Sequence, residues 1–165
     1  SLHGELKEAV LWFGPLKTAH RRATVLPGGH TLTAVGPVSP LQVVTEPRSF
    51  LYEPDPSILR AGLVTDLAIL IVAYQLDPTI AYLSADQRVD TPFARSWAVE
   101  DWFPFGLKRL RAYLRAREIG HVVVKKRGSP LQPEALIQAL RLKGEGERTI
   151  FLTQLRGKPI AIIAR

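Results

Sequence analysis

Strand-like and helix-like segments alternate through residues 96–165, and this order restricts the possible folds more than any other feature of the chain. The segments in chain order are a strand within 96–103, a helix over 107–118, a strand over 121–125, a helix over 133–143, and strands over 149–155 and 159–164. Crossovers between parallel strands are right-handed, and each amphipathic face needs a partner. The order β-α-β-α-β-β therefore predicts an α+β two-layer sandwich, with two helices on one face of a small mixed sheet. The opposite sheet face or the helical edge would then be free for a ligand.

Residues 1–48 have the pattern of a β-rich arm. Two strand-like segments, 22–26 and 31–35, flank the Gly-rich turn at 27–30, as expected of a β-hairpin. A further strand is predicted over 41–45, among prolines that separate this part from the rest. The predicted divisions are the arm over 1–48 and an α+β domain over 49–165, made of a helix-and-strand part over 49–95 and the β-α-β-α-β-β unit over 96–165.

A buried helix is predicted to begin just after Asp55. The Asp55 carboxylate can accept hydrogen bonds from the first amides of a helix, and Pro56 suits the first helical position. Apolar residues then recur at helical spacing. They are Leu59, Leu63, Leu67 and Leu70. A strand over 80–83 and a polar connection over 86–95 follow.

Composition excludes several classes of chemistry. The chain contains no cysteine, so disulfides, thiolate zinc sites and thiol nucleophiles are ruled out. Its four histidines are isolated, and the sequence has neither a phosphate-binding loop nor a Gly-x-Gly turn after a strand. We therefore expect no metal site and no bound cofactor in this chain.

Hydropathy and the first residues bear on location. The most apolar stretch is far shorter than the roughly 20 residues that a bilayer requires, and no secretory leader opens the chain. We expect a cytoplasmic protein with no membrane partner. The chain opens on Ser1 rather than on methionine, and we expect it to be a fragment of a longer polypeptide.

Positive charge is concentrated in the last third of the chain. Residues 101–165 carry 14 Lys and Arg against 5 Asp and Glu, whereas residues 1–100 carry 8 against 10. Clustered cations can neutralise phosphates and release their counterions, so this end is a candidate surface for a polyanion. The alternative is an ordinary solvated face of amphipathic helices.

Six cations are the candidate phosphate ligands. At about 100° per residue, a basic stripe lies beside the apolar stripe of the helix over 107–118. Three adjacent cations follow at the end of the next strand, where they repel one another and should gain little from the fold. The six residues are Lys108, Arg111, Arg115, Lys125, Lys126 and Arg127. Arg141 and Lys143 are assigned instead to the last turn of the second helix, where the helix dipole favours cations.

Aromatic and acidic residues favour structural roles. Four aromatic side chains could stack on unpaired bases, although core packing is the preferred interpretation. They are Trp97, Trp102, Phe103 and Phe105. Alternation places Trp97 and Trp102 on opposite faces of their strand. Helix capping accounts for Asp55, and a salt bridge could account for Glu53, so we predict no catalytic residue in this chain.

Five segments also carry a family resemblance. They are 4–12 (GELKEAVLW), 22–27 (RATVLP), 52–62 (YEPDPSILRAG), 91–95 (TPFAR) and 125–128 (KKRG). In this order, and over nearly the whole chain, they resemble the THUMP-like C-terminal region of a bacterial family of class I S-adenosylmethionine-dependent methyltransferases. The resemblance assigns mainly structural roles to six motif residues. They are Glu53, Asp55, Pro56, Arg60, Pro92 and Arg95.

The resemblance implies a methyltransferase domain upstream of Gly4, which would hold S-adenosylmethionine because this chain lacks the cofactor-binding and catalytic segments. THUMP domains bind RNA in tRNA-modifying enzymes, so the resemblance also implies recognition of structured RNA, either tRNA or rRNA. We therefore predict an accessory domain that docks RNA phosphates for a methyltransferase domain of the same polypeptide. The alternative is a scaffold or dimerisation domain of the same methyltransferase, with no nucleic acid bound.

Overall fold

The computed structural model describes residues 1–34 and 46–165, which form two sheets and four α-helices. The elements in chain order are β1 (Arg22–Val25), β2 (His30–Thr33), β3 (Phe50–Pro54), α1 (Pro56–Arg60), α2 (Val64–Leu70), β4 (Tyr74–Asp77), β5 (Ile80–Ala85), β6 (Ala94–Pro104), α3 (Leu107–Arg115), β7 (Ile119–Lys126), α4 (Pro133–Leu140), β8 (Gly146–Leu155) and β9 (Lys158–Ala164). A short 3₁₀ turn at Gly14–Leu16 precedes them. No helix in these described ranges is long and apolar enough to cross a bilayer.

The N-terminal part contains the predicted hairpin. β1 and β2 pair antiparallel as a separate two-stranded sheet, with Ala23 opposite Leu32. Ala23 is buried in the same core cluster as Ile58 of α1, so the hairpin is anchored to the main part of the fold. The strand predicted over 41–45 lies outside the described residues, as does Val35 at the end of the predicted second strand.

The other seven strands form one mixed sheet in the order β4-β5-β3-β6-β9-β8-β7. Every neighbouring pair is antiparallel except β7 and β8, which are parallel. α3 and α4 pack on one face of this sheet, over a core that includes Phe103, Leu114, Leu140 and Ile163. The predicted α+β class, with two helices on one face of a mixed sheet, is confirmed.

The opposite face of the sheet is also covered, so the expectation of a free sheet face is wrong. Leu76 and Tyr82, on β4 and β5, share a core cluster with Phe151 and Ile162, on β8 and β9. The ring centroids of Tyr82 and Phe151 are 5.5 Å apart in an edge-to-face contact. Strand twist accumulates across seven strands, and the sheet coils until its two halves face each other. We call this buried inner side the concave core.

Two short helices replace the single buried helix predicted after Asp55. α1 ends at Arg60, and Gly62 takes the left-handed conformation, with φ at +66°, that commonly terminates helices. α2 then begins at Val64, and Leu70 at its end is 54% exposed. The apolar stripe of the sequence is therefore divided between two helices, and its last member does not enter the core.

A β-bulge in β6 explains why alternation misplaced the two tryptophans. The pairing of β6 with β9 shifts register between Val99 and Asp101. The extra residue reverses the alternation, so that Trp102 returns to the face that carries Trp97, and both pack at the concave core. Phe103 points to the other face, into the core beneath α3 and α4.

α4 ends earlier than the sequence predicted. Its last helical residue is Leu140, and Arg141 takes the left-handed conformation with φ at +47°. Arg141 and Lys143 therefore do not lie in the last turn of the helix, and that placement is wrong. The polar Arg-Leu-Lys stretch after Leu140 leaves the helix instead of continuing it.

Candidate nucleic-acid interface

Asp55 links the start of α1 to the segment that precedes β6. Its carboxylate accepts hydrogen bonds from the amide and the hydroxyl of Ser57, at 2.8 and 2.6 Å, so the predicted helix cap is confirmed. The Asp55 amide donates to the carbonyl of Phe93 at 2.8 Å, and Pro56 opens the helix. Arg60 ends α1 and is exposed. Two of the motif segments are thereby fixed to each other.

Replacing Asp55 with Ala should lower the free energy of unfolding by about 0.5–2 kcal/mol, because the helix cap is lost. Burial raises the pKa of Asp55, but hydrogen bonds, including those from Ser57, outweigh it and hold the pKa below its ordinary value of 3.8. The stabilisation is therefore present above that ordinary value and is lost as the pH falls through the lower folded-state pKa. Urea denaturation at neutral and acid pH measures both effects. Equal stability of variant and wild type at neutral pH would contradict the capping role.

Glu53, on β3, binds two of the predicted phosphate ligands. Lys125 Nζ lies 2.5 Å from one carboxylate oxygen, and Arg127 Nη2 lies 3.6 Å from the other. The side chains of Glu53, Lys125 and Arg127 are 19%, 26% and 29% exposed, so both pairs are partly shielded from solvent. The salt bridge considered for Glu53 is confirmed. Lys125 and Arg127 thus gain a partner from the fold, contrary to the expectation for cations at the end of β7.

Two aromatic rings lie beneath these cations. Lys125 Nζ is 5.0 Å from the ring centroid of Trp97, and the guanidinium carbon of Arg127 is 5.4 Å from that of Tyr82. Tyr82 is fully buried, and its hydroxyl has no hydrogen-bond partner among the described residues. Burial, and after it the nearby charge of Glu53, raises the pKa of Tyr82 against the opposing effect of Arg127. We call Glu53, Tyr82, Lys125 and Arg127 the Glu53 cluster.

An open groove of about 640 Å³ adjoins the Glu53 cluster. The loop after β5 and the first residues of β6 line it. The lining residues include Arg88, Thr91, Pro92, Arg95 and Trp97. Arg95 stands opposite Glu53 in the pairing of β3 with β6, and it forms no ion pair with any residue in the described ranges. Arg88, by contrast, pairs with Asp90 at 2.9 Å.

The five motif segments meet at the groove or pack behind it. Three of them are joined by the contacts of Glu53 and Asp55 described above. Gly4, in the first segment, lies against Arg95. A Cβ added to Gly4 would be only 3.2 Å from Nη2 of Arg95. β1, which contains most of the remaining segment, packs against α1. The residues that carry the family resemblance are thus gathered in one region of the fold.

The other predicted phosphate ligands on α3 lie on the helical side of the sheet. Arg111 donates to the carbonyl of Ala139 at 2.5 Å, and Arg115 donates to the carbonyl of Arg141 at 2.7 Å. Both therefore stabilise the C-terminal end of α4, where helix carbonyls lack intrahelical partners and the dipole favours cations. Lys108 is exposed near the start of α3.

The six candidate cations do not share one surface. Side chains alternate along β7, so Lys125 faces the concave core while Lys126 faces the helices. Lys126 Nζ lies 3.2 Å from Oε1 of Gln132, beside the start of α4. The structure brings Lys125 and Arg127 together at Glu53, with Lys126 next to them on the strand, and it places the three α3 residues elsewhere.

Sequence analysis missed two residues of this region. Tyr82 follows an ordinary strand pattern, and Arg88 lies in a segment predicted only as a polar connection, so neither gives a signal in the sequence. β3 was not predicted as a strand, and the opposition of Glu53 and Arg95 could therefore not be derived. The family resemblance was the only signal that singled out both Glu53 and Arg95.

Comparison with known families bears directly on this region. Residues 94–165 match the family model described as THUMP domain-like. The resemblance found in the sequence is thus confirmed, and the matched region comprises β6 to β9 with α3 and α4. The groove and the Glu53 cluster lie where this region meets β3 and β5.

Two curated relatives extend the similarity over most of the chain. They are uncharacterized S-adenosylmethionine-dependent methyltransferases of Mycobacterium tuberculosis, from strains CDC 1551 / Oshkosh and ATCC 25618 / H37Rv. Each is 33% identical over 158 residues, which is 94% of this chain. The chain spans only 43% of their length. A crystal structure of a proposed methyltransferase from Porphyromonas gingivalis W83 shares the fold, with a TM-score of 0.64 and 22% identity over 77% of this chain and 31% of that chain.

The described residues of this chain do not fit the cofactor for which the relatives are named. Nucleotide-type cofactors in α/β folds bind a Gly-rich turn between a parallel strand and a helix. The crossover from β7 to α4 contains one glycine, Gly128, and a Cβ there would be 2.5 Å from Cδ1 of Ile80, so a core side chain fills that space. Across residues 1–34 and 46–165, no three His, Asp or Glu side chains group to hold a metal ion.

Proposed function

We propose that this chain is the accessory region of an S-adenosylmethionine-dependent methyltransferase and that it docks structured RNA, either tRNA or rRNA, in the cytoplasm. The THUMP-like domain and the two methyltransferase relatives support the first part. One observation carries the second part: Arg95 lines an open groove that contains an aromatic ring, Trp97, and Lys125 lies over that ring. Arg127 lies beside Lys125, where both cations pair with Glu53. The methyl group would be transferred by a separate catalytic domain of the same polypeptide.

Docking at this groove is electrostatic. Arg95 has no ion pair among the described residues, and Glu53 can offset only one of the two charges on Lys125 and Arg127. The local surplus is therefore positive, and it attracts phosphate groups. Phosphate contacts fix the position of a nucleic acid without reading its sequence, so bases would be read by RNA shape or by the catalytic domain.

The α3 residues provide a second, weaker contact in this proposal. Lys108 is exposed and free to meet a phosphate, whereas the guanidinium groups of Arg111 and Arg115 already serve the end of α4. A phosphate would have to share those donors with the helix carbonyls. Arg has five N–H donors, so sharing is chemically possible.

A scaffold or dimerisation role is the second candidate, and an exposed apolar segment favours it. Leu11, Trp12, Phe13 and Leu16 are between 61% and 81% exposed. Contiguous apolar side chains on a surface mark contacts with other protein. Such a segment suits packing against the methyltransferase domain or a second copy of this chain, and it leaves the groove available.

Lys126→Ala tests whether the end of β7, next to Lys125 and Arg127, takes part in RNA docking. Lys126 contacts an amide oxygen and no carboxylate among the described residues, so its removal leaves no charged partner behind. Wild-type affinity for a structured RNA should fall with salt along a log-log slope of roughly −3 to −5 if about four to six phosphates are contacted. The variant should flatten that slope by about 0.7–0.9. Fluorescence anisotropy across a salt series measures both slopes.

Lys143→Ala is the matched control for this experiment. Lys143 is exposed and follows the C-terminal end of α4, whereas Lys126 lies beside the N-terminal end. The control should leave affinity and slope unchanged. Identical results for the two variants would remove Lys126 from the site, and no binding by the wild type even at low salt would favour the scaffold role. A triple variant that also replaced Lys125 and Arg127 would leave Glu53 without its ion-pair partners. Its effect on stability could then not be separated from its effect on RNA binding.

A further inference from the structure

Glu53 occupies the place that an oxyanion would take between Lys125 and Arg127. Its two carboxylate oxygens contact the two cations separately, at 2.5 and 3.6 Å. A phosphate group offers the same arrangement of anionic oxygens to Lys and Arg side chains. The hydroxyl of buried Tyr82, whose ring lies beneath Arg127, has no partner among the described residues and could donate to a further oxygen.

We infer that Lys125, Arg127 and Tyr82 form a phosphate site that Glu53 keeps closed. A phosphate binds there only by taking the two cations from the carboxylate. Lys125 and Arg127 are about a quarter exposed and have long side chains, so they can move away from the carboxylate while Glu53 stays on its strand. The role of this site in holding RNA rests on the proposed function, whereas its affinity for free phosphate does not.

The carboxylate opposes phosphate in two ways. It accepts a hydrogen bond from Lys125 and forms an ion pair with Arg127, and its own charge repels a second anion at short range. Glu53→Gln removes the charge and keeps the shape of the side chain and one acceptor oxygen. The site should then be open, with two cations facing a neutral amide.

Glu100→Gln is a closely matched control. Glu100 also pairs with two cations, Arg148 at 2.7 Å and Arg165 at 3.6 Å, and its side chain is 20% exposed against 19% for Glu53. In the described part of the chain, the ion pairs of Glu100 have no counterpart to Tyr82, whose buried hydroxyl lacks a hydrogen-bond partner. Both substitutions remove one charge from a comparable ion-pair network, so any general effect of net charge or stability appears in both.

The experiment measures the affinity of folded protein for inorganic phosphate by the shift in melting temperature at constant ionic strength. Circular dichroism confirms that each variant is folded. We expect Glu53→Gln to bind phosphate about tenfold more tightly than the wild type and Glu100→Gln to match the wild type. The double variant Glu53→Gln with Lys125→Gln should lose the increased phosphate affinity of Glu53→Gln. Equal phosphate affinity of the Glu53 and Glu100 variants would overturn the inference.

A second arm separates this inference from the proposed function. Anisotropy with a structured RNA hairpin should show the same order, with Glu53→Gln tightest. If Glu53→Gln gains affinity for inorganic phosphate while neither the wild type nor any variant binds RNA, the phosphate site is upheld and RNA docking is rejected. RNA binding by the wild type that does not increase in Glu53→Gln would reject Glu53 as the residue that closes the site.

Discussion

Replacing Phe151 with Ala should lower the free energy of unfolding by about 3–5 kcal/mol, the range for a large aromatic removed from a packed interior. Phe151, on β8, is fully buried in the concave core. Its ring contacts Tyr82 at 5.5 Å and Trp97 at 5.0 Å, both edge to face, and such pairs add to the effect of burial. The cavity would open beneath the rings that support Arg127 and Lys125. Urea denaturation monitored by circular dichroism measures the loss.

Phe13→Ala provides the control for that measurement. Phe13 is 76% exposed, so the same substitution should change the free energy of unfolding by no more than about 0.5 kcal/mol in this chain. A comparable loss in the two variants would mean that the concave core does not hold the two halves of the sheet together. A loss confined to Phe151 would also predict weaker phosphate binding, because Tyr82 and Trp97 would lose their packing partner.

The elements that sequence analysis placed well are those whose pattern is local. α3 and the strands β7, β8 and β9 each carry a clear periodicity, and the prolines and glycines between them mark the turns. Their order fixes where the two helices must pack, since a right-handed crossover allows few alternatives. The helical side of the sheet could therefore be predicted from the sequence. Boundaries were less secure, as the early end of α4 shows.

The concave core could not be predicted, because it depends on pairings between distant segments. β3 and β4 are short strands next to prolines, and only their hydrogen bonds to β5 and β6 define them. The bulge near Glu100 is also invisible to simple alternation, since one additional residue exchanges the two faces of β6. These features decide that Tyr82, Phe151 and Trp97 meet.

The candidate site shows the same limit, because the sequence reveals which residues are charged but not which residues they contact. Sequence analysis found the cations, since their number and spacing are evident. It could not find what they bind, because Glu53 is 72 residues away from Lys125 along the chain. The acceptors of Arg111 and Arg115 are backbone carbonyls in the last turn of α4 and just after it, which no side-chain pattern reveals. A cluster of cations in a sequence therefore predicts a basic region, whereas the structure decides which of its members remain available.

Replacing Gly120 with Ala should lower the free energy of unfolding by about 2–4 kcal/mol, because the protein has no room for a methyl group there. Gly120 lies in β7 at the register shift between Ile119 and His121. An added Cβ would overlap the carbonyl oxygen of Gly144 and come within 2.7 Å of its nitrogen. Both atoms belong to the backbone, so no side-chain rotation can relieve the clash. β7 would have to move relative to the start of β8, and Lys125 and Lys126 would move with it.

Gly106→Ala separates this close approach from the general effect of replacing a glycine. Gly106 has an extended backbone, with φ at −161°, and the nearest atom to an added Cβ is 4.0 Å away. Gly106 precedes α3 without a side-chain cap, so Ala should cost only about 0.5 kcal/mol there. Thermal and urea denaturation of the two variants give the comparison. If Gly120→Ala is no less stable than Gly106→Ala, then the backbone contact between Gly120 and Gly144 does not set the register of β7, and the position of the cations must depend on Glu53 instead.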